Sequence, residues 1–296
     1  MKWKPILFML ASVFLFTTAN VCVKEIKYLP TVQLVFMRSL ISLAICASYV
    51  VTLKSPFLGI NKKWLYIRGL MGMVALSLFF YTIQHIPLAS ATTIQYLSPV
   101  FTVILAMLFL GQKVKTIQWL FLSIAIAGII MVKGFDPRVP FSFLIIGVCS
   151  AFLAAVAYFA TMKCKNTDHP VTIVMYFHLI AVPVMGIILL PEWGSVQLLN
   201  SAILEFPKWI SIGWYEWGMG AMIGVFSVLA QILMAYAIHA EDASIVTPIK
   251  YFGAIIALAI GYFHFNESLS TTSIIGIMLV IAGVTLNTFV KRKSIQ

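Results

Sequence analysis

The sequence predicts an all-α integral membrane protein: ten transmembrane helices in two inverted five-helix repeats. Three observations carry this expectation. Apolar runs of spanning length follow one another along the chain, the charges fall mostly in the gaps between them, and one stretch recurs at an offset of 155 residues. Of the 296 residues 61% are apolar and 10% charged, with a mean hydropathy of +1.01. A soluble domain carries about a quarter of its residues as Asp, Glu, Lys and Arg, so the main solvent of this chain is lipid.

A spanning helix needs ~20 mostly apolar residues. Runs of that kind lie near 5–23, 31–51, 64–84, 89–110, 116–133, 141–162, 171–190, 213–238, 243–264 and 271–290. The first follows Met1-Lys2-Trp3-Lys4 and imitates a signal peptide. No small-residue cleavage site follows it, so it is read as a retained membrane helix. Breakers close the gaps: Lys54-Ser55-Pro56 after the second run, Ile86-Pro87 after the third, Asp136-Pro137 after the fifth, His169-Pro170 after the sixth and Asn266-Glu267-Ser268 after the ninth. The one long gap, 191–212, contains Pro191, Trp193, Pro207 and Trp209 and suits the membrane interface, where tryptophan concentrates.

Ten spans place both termini on one side. If that side is the cytoplasm, thirteen basic residues lie inside: Lys2, Lys4, Lys54, Lys62, Lys63, Arg68, Lys113, Lys115, Lys163, Lys165, Lys291, Arg292 and Lys293. Five lie outside: Lys24, Lys27, Lys133, Arg138 and Lys208. The excess obeys the positive-inside rule for a multi-pass protein of a cell inner (plasma) membrane with both termini cytoplasmic. The net charge of +11 is therefore a topology signal. The basic residues form no continuous stripe, so no nucleic-acid partner is expected. Cys22, Cys46, Cys149 and Cys164 show no paired spacing, and neither a metal nor any other cofactor is expected.

The repeat pairs Thr92-Thr93-Ile94-Gln95-Tyr96 with Thr247-Pro248-Ile249-Lys250-Tyr251, Gln112 with Glu267, and Ala127-Gly128 with Ala282-Gly283. A weaker relation at an offset near 139 links the first two spans to the sixth and seventh. Residues 1–138 and 139–296 would thus hold five spans each. An odd number of spans per half forces opposite orientations, and inverted halves give a carrier two near-equivalent states around one midplane site.

Several segments resemble the EamA repeat of the drug/metabolite transporter superfamily. In the first half they are Arg68-Gly69-Leu70-Met71-Gly72, Phe80-Tyr81, Ile86 through Thr93, Ser98-Pro99-Val100-Phe101 and Phe109-Leu110-Gly111. In the second they are Ala243-Ser244, Phe265 through Leu269, Gly276 and Ala282-Gly283. The resemblance covers essentially the whole chain and implies ten helices around a central cavity that carries a small molecule. Its substrate range is wide. The chain departs from it in two places: Gln112 stands where an acidic residue is usual, and Ala254 where the second half would match Pro99.

A charge in hydrocarbon costs from ~3 to above ~10 kcal/mol unless it is paired, hydrated or used. Arg38 and Lys250 fall inside apolar runs. Arg38 could snorkel or cap helix carbonyls, whereas Lys250 lies beside Pro248, which removes a backbone donor where ligands often bind. Together they would suit an anionic or zwitterionic substrate, such as an amino acid or organic acid. Gln95, Tyr96, Tyr81, Gln231, Tyr251, Tyr158 and Asn20 could complete the cavity with orienting hydrogen bonds. His178, the one histidine deep in a span, is a candidate proton relay.

No carboxylate lies deep in any span, which argues against proton-coupled export of hydrophobic cations. Export of drugs or other neutral or cationic solutes in the same fold is the alternative. A membrane-embedded enzyme needs an acid/base or metal-ligand cluster, and His239-Ala240-Glu241-Asp242 offers no such spacing. A channel needs a filter motif or a ring of charges, and neither is present. The sequence therefore points to a secondary transporter and not to an enzyme, with a small molecule and the bilayer as its partners.

Overall fold

The computed structural model describes residues 3–52, 59–110, 116–134, 139–164, 167–189, 209–240, 250, 252–267 and 270–292. Eleven helices occupy these residues, and no strand occurs among them. They are α1 (Trp3–Glu25), α2 (Thr31–Thr52), α3 (Lys62–His85), α4 (Leu88–Gln95), α5 (Ser98–Leu110), α6 (Thr116–Gly134), α7 (Phe141–Cys164), α8 (Pro170–Ile188), α9 (Trp214–Ala240), α10 (Phe252–Phe263) and α11 (Thr271–Arg292). Seven helical stretches among them are long and apolar enough to cross a bilayer, with Leu88–Phe109 counted as one. The other expected spans are represented by shorter apolar stretches, Trp119–Gly128, Phe252–Phe263 and Ile274–Gly283. Large apolar side chains such as Leu7, Phe14, Leu108, Phe109, Ile145 and Met278 stand on the outside of the bundle, as lipid-facing surfaces require.

The fourth expected span is broken. Its backbone turns at Tyr96 and Leu97, where Leu97 N–H donates to the Ile94 carbonyl at 3.0 Å. Pro99 lies just beyond and can donate no hydrogen bond of its own. At the offset of 155, Leu97 corresponds to Phe252, where α10 begins. The Tyr96 hydroxyl donates to the Lys250 carbonyl at 2.9 Å and so ties the two places together.

The principal pairings are α1 with α9, α3 with α7, α2 with α8, α3 with α8, α2 with α9, α5 with α7, α4 with α10, α1 with α10 and α6 with α11. Small residues permit these close crossings, since lipid offers no hydrophobic drive for helix association. A Cβ on Gly128 would lie 2.6 Å from the Gly276 carbonyl of α11. One on Gly224 would lie 3.1 Å from the Arg38 carbonyl of α2, where Ser42 Oγ donates to the Gly224 carbonyl at 2.9 Å. Gly220 faces Met37 in the same interface.

Polar contacts tie the two ends of the bundle. At one end Lys24 pairs with Glu267 and donates to the Ile86 carbonyl at 2.7 Å, while Leu88 N–H donates to Glu267 Oε2 at 2.9 Å. Glu267 therefore neutralises a buried lysine and caps the start of α4, where the helix dipole favours an anion. His264 pairs with Glu25 nearby. The Tyr28 hydroxyl donates to Glu216 at 2.5 Å, which pushes its pKa up to about 12 because the bonded carboxylate favours the neutral phenol. Gln33 exchanges two hydrogen bonds with Ile210, and Trp209 packs edge-on against Phe36 at 6.2 Å. The rest of the long gap lies outside the described residues up to position 208. At the opposite end Asp168 accepts from Ile60 N–H at 2.5 Å and from Asn61 N–H at 3.2 Å, tying the segment before α3 to the segment before α8.

Candidate functional site

Arginines from two helices meet one ring, Phe177 of α8, and a fourth helix reaches the second of them. Arg38 of α2 lies with its guanidinium carbon 5.3 Å from the centre of that ring and 5.8 Å from the ring of Phe80. Arg68 of α3 lies 5.6 Å from the same Phe177 ring. Gln231 of α9 accepts a long bond, 3.5 Å, from Arg68 Nη2. Arg38 is 2% exposed and Arg68 8%. His178 is wholly buried, its ring 4.8 Å from that of Phe177.

The local sequence explains how a second arginine fits. Gly69 and Gly72 follow Arg68 on the face of α3 turned to α8. A Cβ on Gly69 would lie 2.8 Å from the Tyr176 carbonyl. One on Gly72 would strike the Arg68 guanidinium and come within 3.0 Å of Phe177. The glycines thus draw the helices together and leave room for the side chain to fold along them.

The group is rich in unmet donors. Among the described residues, Arg38 Nε and Nη1, Arg68 Nε and Gln231 Nε2 are buried without a hydrogen-bond partner, as are both ring nitrogens of His178. Buried polar atoms are nearly always bonded, so each exception needs an explanation. Carboxylates do not supply it among the described residues: Glu25 pairs with His264, Glu267 with Lys24, Glu216 bonds Tyr28, and Asp168 bonds Ile60 and Asn61. All four are engaged at the ends of the bundle.

A second group forms around Lys250, whose Nζ lies 4.5 Å from the centre of the Tyr158 ring. Gly253 leaves space for the Tyr96 hydroxyl, since a Cβ there would lie 2.5 Å from it.

The structure thus gathers Arg38, Gln231 and His178 in one group, and Lys250, Tyr158 and Tyr96 in the next. Gln95 sits apart from both sets of contacts, accepting from the Ser150 hydroxyl at 3.0 Å. Tyr81 is 39% exposed and stacks on His85 (4.3 Å) and Phe143 (5.8 Å), away from the arginines. Asn20 is half-buried on α1, and Tyr251 lies outside the described residues. One expectation is corrected: Arg68, counted with the inner-loop cations, is a buried member of α3. Its proximity to Lys62 and Lys63 disguised it. The adjacent Gly69 and Gly72 were the signal that could have found it.

The sequence profile described as the EamA-like transporter family matches residues 3–134 and again residues 141–289. The chain belongs to the EamA-like transporter family. It is 30% identical to the pseudopaline exporter CntI of Pseudomonas aeruginosa, over 97% of this chain and 96% of that protein. It is 25% identical to solute carrier family 35 member G1 of Mus musculus, over 93% of this chain and 75% of that one. An S-adenosylmethionine uptake transporter of Rickettsia bellii is 21% identical over 91% and 89% of the two chains. A solved crystal structure 15% identical in sequence superposes with a TM-score of 0.67, over 97% of this chain and 98% of its own, and shows the shared fold. This EamA-like protein is a multi-pass membrane transporter of the drug/metabolite transporter superfamily.

Proposed function

We propose that this transporter is a secondary carrier for a small anionic or zwitterionic metabolite, such as an organic acid or amino acid, working by alternating access in the inner membrane. One observation carries the reading: two arginines buried at mid-bundle, with free N–H donors and no carboxylate partner among the described residues. A buried guanidinium left unpaired is costly. An anion arriving from solution would remove that cost at the place where a carrier holds its load. Arg38 and Arg68 would grip the anionic group, Lys250 would add charge from the second half, and Gln231, Tyr158 and Tyr96 would orient the remainder. Tyr81 would meet the substrate only on its path. His178 is the titratable group through which the site would exchange a proton.

The alternating-access part of the reading draws on the helix pairings. Number the ten expected spans so that α4 and α5 share span four and α10 belongs to span nine. Exchanging each span with the one five places away then turns α1·α9 into α7·α3, α3·α8 into α9·α2, and α5·α7 into α10·α1, while α2·α8, α4·α10 and α6·α11 map onto themselves. That pattern, with the family profile matching the chain twice, supports two inverted five-helix halves, 1–138 and 139–296. Halves so related can rock about a fixed midplane site. The relatives named above export one compound and take up another, so their names set no direction for this chain. Export of cations is the weaker reading, because the described carboxylates sit at the bundle ends.

Proteoliposome counterflow tests the proposal with labelled amino acids, organic acids, nucleosides and cationic dyes. Saturable uptake of an anion or zwitterion, accelerated by the same compound inside, is the expected result. Uptake confined to dyes, or flux that never saturates, would remove the proposal.

A further inference from the structure

The anion-carrier reading leaves open how many charges the substrate brings, and the central group bears on that number. Arg38 and Arg68 share the Phe177 ring at 5.3 and 5.6 Å, so two positive charges stand at one buried place. Stacking on an aromatic face offsets only part of the burial cost of a guanidinium, and the two repel each other as well. A monoanion would leave one positive charge in the closed site. A zwitterion would leave both and would add an ammonium beside them. A doubly charged anion neutralises the pair.

The hydrogen-bonding inventory points the same way. Among the described residues, the unpartnered buried atoms of the charged and amide side chains are nitrogens, on Arg38, Arg68, His178 and Gln231, supplied by four different helices. Each arginine nitrogen is a donor only, as is the Gln231 amide nitrogen, and a neutral imidazole contributes one donor and one acceptor whichever tautomer it adopts, so donors predominate. The acceptor of Gln231 faces Arg68. The other unmet side-chain atoms among the described residues are the Ser39, Ser90 and Thr172 hydroxyls, which adapt to either role. An ammonium group would therefore find little to bond, whereas a head carrying several acceptor oxygens would satisfy these donors at once. Guanidinium forks also match the planar geometry of carboxylates and phosphates.

We infer that Arg38 and Arg68 together hold a compact dianionic head, either two carboxylates or one phosphate monoester, with His178 and Gln231 donating to it. This rests on the anion-carrier reading and narrows it. The test is counterflow into proteoliposomes of the full-length protein with four labelled probes: succinate, glycerol 3-phosphate, lactate and alanine. One of the two dianions is expected to exceed lactate and alanine by at least about tenfold, and the one that does so distinguishes a dicarboxylate site from a phosphate site. In Arg68→Gln, which leaves Arg38 as the one cation at the Phe177 ring, dianion flux should fall by at least about tenfold, with lactate now equalling or exceeding it. Should that variant fail to fold, the wild-type comparison decides alone. Lactate or alanine carried as well as either dianion overturns the inference and leaves the anion carrier standing. Absence of counterflow with every anion removes both.

Discussion

At the scale of single residues, Arg38, Arg68 and Lys250 each lie over an aromatic ring inside the bundle. Arg38 and Lys250 announce themselves because each interrupts an apolar run, and the structure gives both a buried or aromatic setting. Arg68 does not, since it lies near a helix start beside Lys62 and Lys63 and passes for an interfacial charge. Burial of a residue six positions into a helix depends on the neighbour's shape, and that shape is written only indirectly, in Gly69 and Gly72. Gly72→Ala should therefore act on Arg68. Its methyl group would occupy the space of the guanidinium and crowd Phe177, costing about 1–3 kcal/mol of stability as overpacking does. Counterflow should fall further than in a control glycine-to-alanine variant at Gly218, where a Cβ meets nothing within 4 Å. Equal transport in the two variants would show that Arg68 need not sit where it does. Lys250→Ala is expected to lower transport of the preferred anion several-fold with the melting temperature little changed, because Lys250 makes a cation–π contact of only about 0.5–2 kcal/mol. Wild-type transport in that variant would remove Lys250 from the site.

At the scale of helices, seven helical stretches of spanning length fall on expected apolar runs, since length and hydropathy are the properties a bilayer reads most directly. The break in the fourth span follows from Ser98-Pro99, although its turn at Tyr96 and Leu97 needed the structure. The role of Glu267 was not legible. The sequence gives only its match to Gln112, whereas its function depends on Lys24 and Leu88, more than 170 residues away along the chain. This contact ties α1, α4 and the α10–α11 connection at one end of the bundle, and it predicts non-additive stability. Lys24→Met alone leaves a largely buried carboxylate without its cation and should destabilise by about 3–5 kcal/mol. Adding Glu267→Gln should recover part of that loss, read as a rise in melting temperature of the double variant over Lys24→Met. Strictly additive losses would mean that the two charges do not depend on each other.

At the scale of the whole molecule, membrane character and family were legible from composition and motif, and the profile matches and relatives bear them out. Substrate identity was not, because specificity rests on a few side chains whose convergence is set by helix packing. The thirteen-to-five charge asymmetry loses one inner member with Arg68 buried in α3, and twelve against five still favours cytoplasmic termini. A C-terminal green fluorescent protein fusion should accordingly fluoresce, and a C-terminal alkaline phosphatase fusion should be inactive. The reverse pair would invert the topology. The claim on which the rest depends is that a carried anion is held between the central arginines. The most direct measurement is saturable counterflow of the preferred anion in Arg38→Gln against wild type, at matched protein density and with melting profiles confirming a folded variant. A loss of about tenfold or more in the variant is the predicted result. Transport at the wild-type rate without Arg38 would contradict the account, because the substrate would then be held somewhere else.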